Sequence, residues 1–145
     1  MGEGDGLGTT VNLPLPSQTT GHTYRHGFEA VVVPVVERFQ PDWVLVSAGF
    51  DGHRADPITE LGLTSADYAD LIADVCALAP PGRRLMFLEG GYDLEALSDC
   101  AGAVAAKLVG HQYRPERPTT GGPGQEHIEI ARKIHVERAG DYPVN

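Results

Sequence analysis

Apolar residues recur at helical spacing in four stretches of the chain, at about residues 24–39, 64–78, 94–108 and 125–138. Spacings of three and four place these side chains on one face, so each stretch predicts an amphipathic helix. The first stretch is rich in valine, which favours strands, and it contains Pro34, a residue type that kinks helices. Thr64 is a suitable N-cap for the second helix, with Asp67 three residues later. The fourth stretch has the weakest pattern.

Two continuous apolar runs, at residues 43–48 and 84–89, have the length of strands. Neither run alternates with polar residues, so both predict parallel strands that are covered on both faces. A shorter extended piece is predicted at about residues 9–16, where prolines suit a sheet edge. Helices and strands alternate between residues 24 and 108. This order is typical of an α/β fold that has a parallel sheet with flanking helices.

Composition narrows the possible functions. The 145 residues, 41% of them hydrophobic, fit one domain at 1–145, with a linker rich in Pro and Gly at about 111–124 before the terminal helix at 125–138. The net charge of −9 repels phosphate backbones, so we expect no nucleic acid as a ligand. No apolar run approaches the ~20 residues of a membrane span, so we expect no membrane partner. Cys76 and Cys100 lie within predicted helices and are expected to be buried thiols of a cytoplasmic protein.

The residues that follow the two predicted strands are the candidates for chemistry, because open α/β sheets bind ligands beyond the carboxyl ends of their strands. Asp51 directly follows the first strand and suits either a divalent metal ion or the cap of a turn. His53 could share such an ion by its spacing, whereas Asp56, before a proline, suits a turn that bonds backbone N–H groups. Gly90, Gly91 and Tyr92 follow the second strand, where the tyrosine could stabilise an oxyanion.

The segments P-D-W-V-L-V-S-A-G-F-D-G-H-R-A-D-P, L-G-L-T and F-L-E-G-G-Y-D-L-E-A-L carry a family resemblance. With V-N-L-P-L near the start, they resemble the C-terminal half of the zinc-dependent histone deacetylase family. The bacterial acetoin-utilisation and acetylpolyamine amidohydrolase branch is the most similar. The resemblance covers roughly residues 4–138. It implies part of an arginase/deacetylase-like three-layer α/β fold and zinc-dependent hydrolysis of N-acetyl amides of lysine or polyamines.

Site residues follow from this resemblance by position. Asp51 matches the family's last zinc ligand, and Tyr92 matches the tyrosine that binds the substrate carbonyl and the oxyanion. Gly90 and Gly91 match glycines that line the acyl tunnel, and Ile58 falls at an apolar pocket position.

The chain also departs from the family pattern. The family's first zinc ligands lie in an upstream D-x-H motif followed by glycines, and its general base belongs to a pair of adjacent histidines that this sequence does not contain. Asp51, Gly52 and His53 spell D-x-H, but their surroundings are those of the later single-Asp motif, so His53 is not carried over as a ligand. The resemblance therefore implies an incomplete zinc site and little or no deacetylase activity for the isolated chain.

Two other hypotheses stand beside the incomplete deacetylase. The chain could be a non-catalytic interaction module, a remnant of the same fold that binds a partner through an unpaired sheet edge. It could also be an unrelated metal-binding domain that uses Asp51, His53 and Asp56 together.

Overall fold

A computed structural model of the chain describes residues 2–137, without the side chain of Asp5. Its main elements are the following helices and strands, numbered in chain order: α1 (Gly21–Gly27), α2 (Val33–Phe39), β1 (Val44–Ala48), α3 (Ser65–Ala77), β2 (Arg84–Leu88), α4 (Leu94–Leu108) and α5 (Gln125–Arg132). A short 3-10 helix spans Gly4–Gly6, and two π-helical turns span Phe28–Val32 and Lys133–Glu137. The predicted alternation of helices and strands is confirmed. Residues 9–16, predicted as an extended piece that suits a sheet edge, do not pair as a strand, and the predicted end of the last helix at Arg138 lies outside the described residues.

The first predicted helix is one continuous rod in which α1 and α2 are joined by the π turn. Pro34 lies just beyond this turn and has no N–H to donate to the carbonyl four residues back, which its ring also crowds. The N–H of Val33 donates instead to the carbonyl of Phe28, five residues back. The π turn is therefore the local departure from α-helical hydrogen bonding that accompanies the proline.

The two strands pair in parallel, with Val44 opposite Arg84 and Ala48 opposite Leu88. Phe50, Ile72, Cys100 and Val104 form a buried core, against which Ala48 of β1 and Met86 of β2 also pack. Because Ile72 lies on α3, and Cys100 and Val104 lie on α4, these helices cover the inner face of the sheet. Cys100 is buried and Cys76 is half-buried, and both are free thiols.

The outer face of the sheet is open within the described part of the chain. Trp43, Leu45, Leu85 and Phe87 are all exposed there, Leu45 to 64%. A groove of about 430 Å³ runs along β1, between α2 and the end of α3. The prediction that the strands are covered on both faces is therefore wrong for residues 2–137, because their helices pack on one side of the sheet.

Residues 113–122, which we call the strap, connect α4 to α5 without helix or strand. The strap is attached through Asp67, which is almost fully buried at the start of α3. One Asp67 oxygen accepts from the N–H of Thr119 at 3.0 Å, and the other accepts from its hydroxyl at 2.8 Å. The same Thr119 hydroxyl accepts from the N–H of Gly21 at 2.8 Å. The strap thus joins the beginnings of α1 and α3.

Across residues 2–137, every helix falls short of the length and apolarity needed to cross a membrane.

Candidate active site

Two loops meet at the carboxyl ends of the paired strands. The aspartate loop (residues 49–63) follows β1, and the tyrosine loop (residues 89–93) follows β2. The ladder continues into them, because the N–H of Glu89 donates to Ala48 at 3.1 Å and the N–H of Phe50 donates to Gly90 at 2.9 Å. The common rim expected from the parallel order of the strands is present.

The Asp51 carboxylate lies in a cradle that is formed by two glycines. A Cβ added to Gly90 would lie 2.6 Å from its Oδ1 atom, and one added to Gly49 would lie 2.7 Å away. Either side chain would displace the carboxylate. The backbone carbonyl of Asp51 accepts from the Thr59 hydroxyl at 2.6 Å, whereas neither carboxylate oxygen has a hydrogen bond from any described residue. An uncommitted carboxylate in a fitted cradle suits one ligand of a divalent metal ion.

Asp51 is a single ligand, and zinc sites use three or four protein ligands. Among residues 2–137, no three His, Cys, Asp or Glu side chains are placed to share an ion. The part of the chain that the structure describes therefore fits one position of a zinc site but does not form a complete site.

His53 is held in a structural role. It is buried, and its Nδ1 accepts from the N–H of Ala55 at 3.2 Å. Its Nε2 therefore carries the proton and donates to Glu116 of the strap at 2.8 Å. With both ring nitrogens engaged, His53 has no lone pair for a metal ion. The hypothesis that Asp51, His53 and Asp56 share one ion disagrees with this geometry.

Glu116 gathers several donors from around the aspartate loop. Besides His53, it accepts from Arg54 at 2.5 Å and from the N–H and hydroxyl of Ser65 at 2.8 and 3.0 Å. Burial alone would raise the pKa of Glu116, but the bonds from His53 and Ser65 lower it to about 2. A carboxylate that is ionised at neutral pH therefore fixes one side of the aspartate loop to the strap and to α3.

Asp56 fixes the other side of the aspartate loop to the tyrosine loop. Its carboxylate accepts from the N–H of Ile58 at 3.0 Å, as the prediction of a turn residue requires. It also accepts from the N–H of Tyr92 at 2.7 Å, a contact between loops that the sequence did not predict. Burial alone would raise the pKa of Asp56, but these backbone donors outweigh it and the pKa is lowered.

The predicted substrate-contacting residues lie on the exposed side of the rim. The Tyr92 side chain is 57% exposed, and Ile58 is 61% exposed. Gly91 has a φ of +129°, and a Cβ there would lie 3.0 Å from Leu97 and 3.2 Å from Phe50. Glycine is therefore needed at this position both for its backbone and for its close packing.

Tyr68 of α3 packs against the aspartate loop. The sequence placed Tyr68 in the apolar stripe of a helix and did not predict this contact with the loop. Its ring packs edge-to-face on Phe50, with centroids 5.1 Å apart. A Cβ on Gly52 would lie 2.8 Å from the Tyr68 hydroxyl. Burial, chiefly, raises the pKa of Tyr68, and the charge of Asp51 adds to the effect. The phenol is therefore a neutral group beside the loop that carries Asp51.

Another groove, with a volume of about 1010 Å³, lies between α1–α2 and α3. Arg25 in its wall is already paired, at 2.6 Å, with Asp74. Neither Asp51 nor Tyr92 lines this groove. We place the candidate site at the loops, because the strand ends, the glycine cradle and the exposed tyrosine converge there.

Comparison with known proteins gives consistent matches along the chain. A family model described as the histone deacetylase domain matches residues 1–108. "Histone deacetylase 14, chloroplastic" of Arabidopsis thaliana is 45% identical over 113 residues, which are 76% of this chain and 27% of that protein. "Histone deacetylase 10, chloroplastic" of Oryza sativa subsp. japonica is 46% identical over 137 residues, which are 92% of this chain and 30% of that protein. The chain thus spans less than a third of the length of these relatives.

Solved structures share the fold. The structure of the histone deacetylase Clr3 superposes with a TM-score of 0.83 and 40% identity, covering 94% of this chain and 23% of that one. The HDA15 HD domain superposes with a TM-score of 0.76 and 33% identity, covering 90% of this chain and 36% of that one. The two parallel strands and their helices therefore have counterparts within larger domains of known structure.

Proposed function

This chain belongs to the histone deacetylase family, and we propose on that basis that it forms the part of a deacetylase domain that carries one zinc ligand, Asp51, and the oxyanion-binding tyrosine, Tyr92. The observation that supports the proposal most directly is the rim itself. Asp51 lies over Gly90, and the next residues, Gly91 and Tyr92, follow on the same loop. A carboxylate without a hydrogen-bond partner among the described residues and an exposed tyrosine thereby lie on two loops that meet at the ends of adjacent parallel strands, which supports these two roles.

The proposed reaction is the hydrolysis of N-acetyl amides of the acetyl-lysine or acetylpolyamine type. When bound, zinc would supply polarisation of the amide carbonyl and activation of a water molecule. Asp51 would hold the ion as one carboxylate ligand. The Tyr92 hydroxyl would donate a hydrogen bond to the carbonyl oxygen as negative charge develops on it. Gly90 and Gly91 would let the acyl-bearing side chain pass close to the backbone, and Ile58 would offer an apolar contact at the mouth.

The remaining ligands and the general base would come from polypeptide other than these 145 residues. We propose that the rest of the deacetylase domain packs on the open outer face of the sheet, where Trp43, Leu45, Leu85 and Phe87 are exposed. Burying this apolar face would be favourable at about 25 cal/mol per Å². The isolated chain, with one ligand, is then expected to bind zinc weakly and to release little acetate.

A chimaera tests this proposal without requiring the isolated chain to be active. The segment of the rice relative that aligns with this chain is replaced by residues of this chain, and acetate release from an acetyl-lysine peptide is measured beside the unaltered relative. We expect activity in the chimaera and a loss of both zinc and activity in its Asp51→Asn variant. A Glu60→Gln variant, at an exposed acid of the same loop, should keep both. A folded chimaera that binds the same amount of zinc with Asp51 and with Asn at this position would contradict the proposal.

The second candidate is a non-catalytic interaction module, and the same open apolar face favours it. In that case a separate protein with an apolar surface would cover the groove between α2 and the sheet. The two candidates differ in what Asp51→Asn does. It should abolish zinc binding in an assembled deacetylase, whereas an interaction module should bind its partner equally well with either residue. The cytoplasmic location expected from the sequence, like the absence of a nucleic-acid ligand, stays a prediction.

A further inference from the structure

One buried carboxylate is shared between the two loops of the site. Asp56 is only 6% exposed, although it lies in a loop. Its Oδ1 atom accepts from the N–H of Ile58 at 3.0 Å, within its own loop. Its Oδ2 atom accepts from two N–H groups of the tyrosine loop, those of Tyr92 at 2.7 Å and Asp93 at 3.4 Å. Both oxygens are therefore committed to backbone donors, which are three N–H groups in all.

The contact with Tyr92 is the shorter one and fixes a residue whose side chain is otherwise exposed. The following residue, Asp93, is the N-cap of α4 and accepts from the N–H of Ala96 at 2.8 Å. Tyr92 is thus held at its own N–H by Asp56 and, one residue later, by the start of a helix. A hydrogen bond from an N–H to an ionised carboxylate is stronger than one to a neutral acceptor.

We infer that Asp56 is a positioning residue that fixes the backbone of Tyr92 against the loop that carries Asp51. We call the hydrogen bond from the Tyr92 N–H to Asp56 the tether. The tether couples the two loops, so the tyrosine keeps its place relative to Asp51 before any substrate arrives. The value of this placement for catalysis depends on the proposed function, but the tether itself is a property of this chain and can be tested without any activity.

Backbone hydrogen exchange, monitored by NMR on the intact chain, measures how well the hydrogen bond to Asp56 protects the Tyr92 N–H. In the unaltered protein the Tyr92 N–H should exchange slowly, although its side chain is exposed. In Asp56→Asn the charged acceptor is lost, and an amide group cannot accept from both loops at once. We expect exchange at Tyr92 to accelerate by about tenfold or more relative to Val104 in the core.

Asp67→Asn is the matched control, because Asp67 is a buried carboxylate that accepts from backbone N–H groups away from the tyrosine loop. It should leave the ratio of exchange rates at Tyr92 and Val104 unchanged. A fast Tyr92 N–H in the unaltered protein would overturn the inference even if neither variant folded. Equal acceleration at Tyr92 and Val104 in Asp56→Asn would also overturn it, since Asp56 would then support only the fold. An inactive chimaera would overturn the proposed function and leave this result standing.

Discussion

Replacing His53 by alanine separates a structural histidine from a metal ligand. The substitution removes the hydrogen bond to Glu116 at 2.8 Å and the one from the N–H of Ala55 at 3.2 Å. A bond to a charged group contributes about 1.5–3 kcal/mol and a neutral one about 0.5–1.5 kcal/mol. Because the imidazole is also buried, we expect the free energy of unfolding at pH 7 to fall by about 2–4 kcal/mol. Urea unfolding followed by circular dichroism measures this loss, with exposed His127→Ala as the control.

The same variant has a characteristic pH dependence. The pKa of Glu116 is lowered from 4.5 to about 2 in the folded chain, so its stabilisation is present above pH 4.5 and is lost as the pH falls towards 2. Without His53 the pKa of Glu116 should move back towards its ordinary value. The variant should therefore lose less further stability than the unaltered chain between pH 4.5 and 2. Zinc binding, measured by calorimetry on the chimaera, should not change. A stable His53→Ala protein that has lost its zinc would refute this reasoning.

Two further experiments, a glycine substitution and a cysteine-labelling reaction, test the glycine cradle around Asp51 and the burial of Cys100. In Gly90→Ala the new Cβ would lie 2.6 Å from the Asp51 Oδ1 atom, and ordinary van der Waals contact requires at least 3.4 Å. The carboxylate should therefore move by about 0.8 Å, which weakens zinc binding in the chimaera. Gly6→Ala, where a Cβ meets nothing closer than 3.7 Å, is the control, and equal zinc affinity in both would contradict the cradle. Burial, chiefly, raises the pKa of the Cys100 thiol to about 12, so a thiol reagent at pH 8 should label Cys76 first and Cys100 only after unfolding. Equal labelling rates in the folded chain would show that Cys100 is accessible.

The regular elements could be predicted because their signals are local. The continuous apolar runs placed both strands to within a residue, and helical spacing located α3 and α4. The start of α1 at Gly21 could not be predicted, because glycine is a poor helix former. The Thr20 side chain accepts from the N–H of Thr23 and caps the N-terminus of the helix. The meeting of the two loops was also predictable, since parallel neighbouring strands end at one edge.

The partners of the buried polar groups could not be predicted, because they lie far apart in sequence. His53 meets Glu116 63 residues later, and Asp56 meets the N–H of Tyr92 36 residues later. Nothing in the local sequence of an aspartate shows whether its carboxylate satisfies its own turn or another loop. The burial of the strands could not be predicted for the same reason. A continuous apolar strand predicts that both of its faces are covered, but its sequence does not show whether the covering layer lies within the described residues.

The most direct test of the central claim is the kcat of the chimaera after Tyr92→Phe. The substitution keeps the ring and removes only the hydroxyl that is proposed to bind the developing oxyanion. Removal of one such donor should lower kcat by about a hundredfold or more, with little change in KM and with zinc still bound. A Tyr92→Phe chimaera that releases acetate at the unaltered rate would contradict the assignment of this rim as the site of deacetylation.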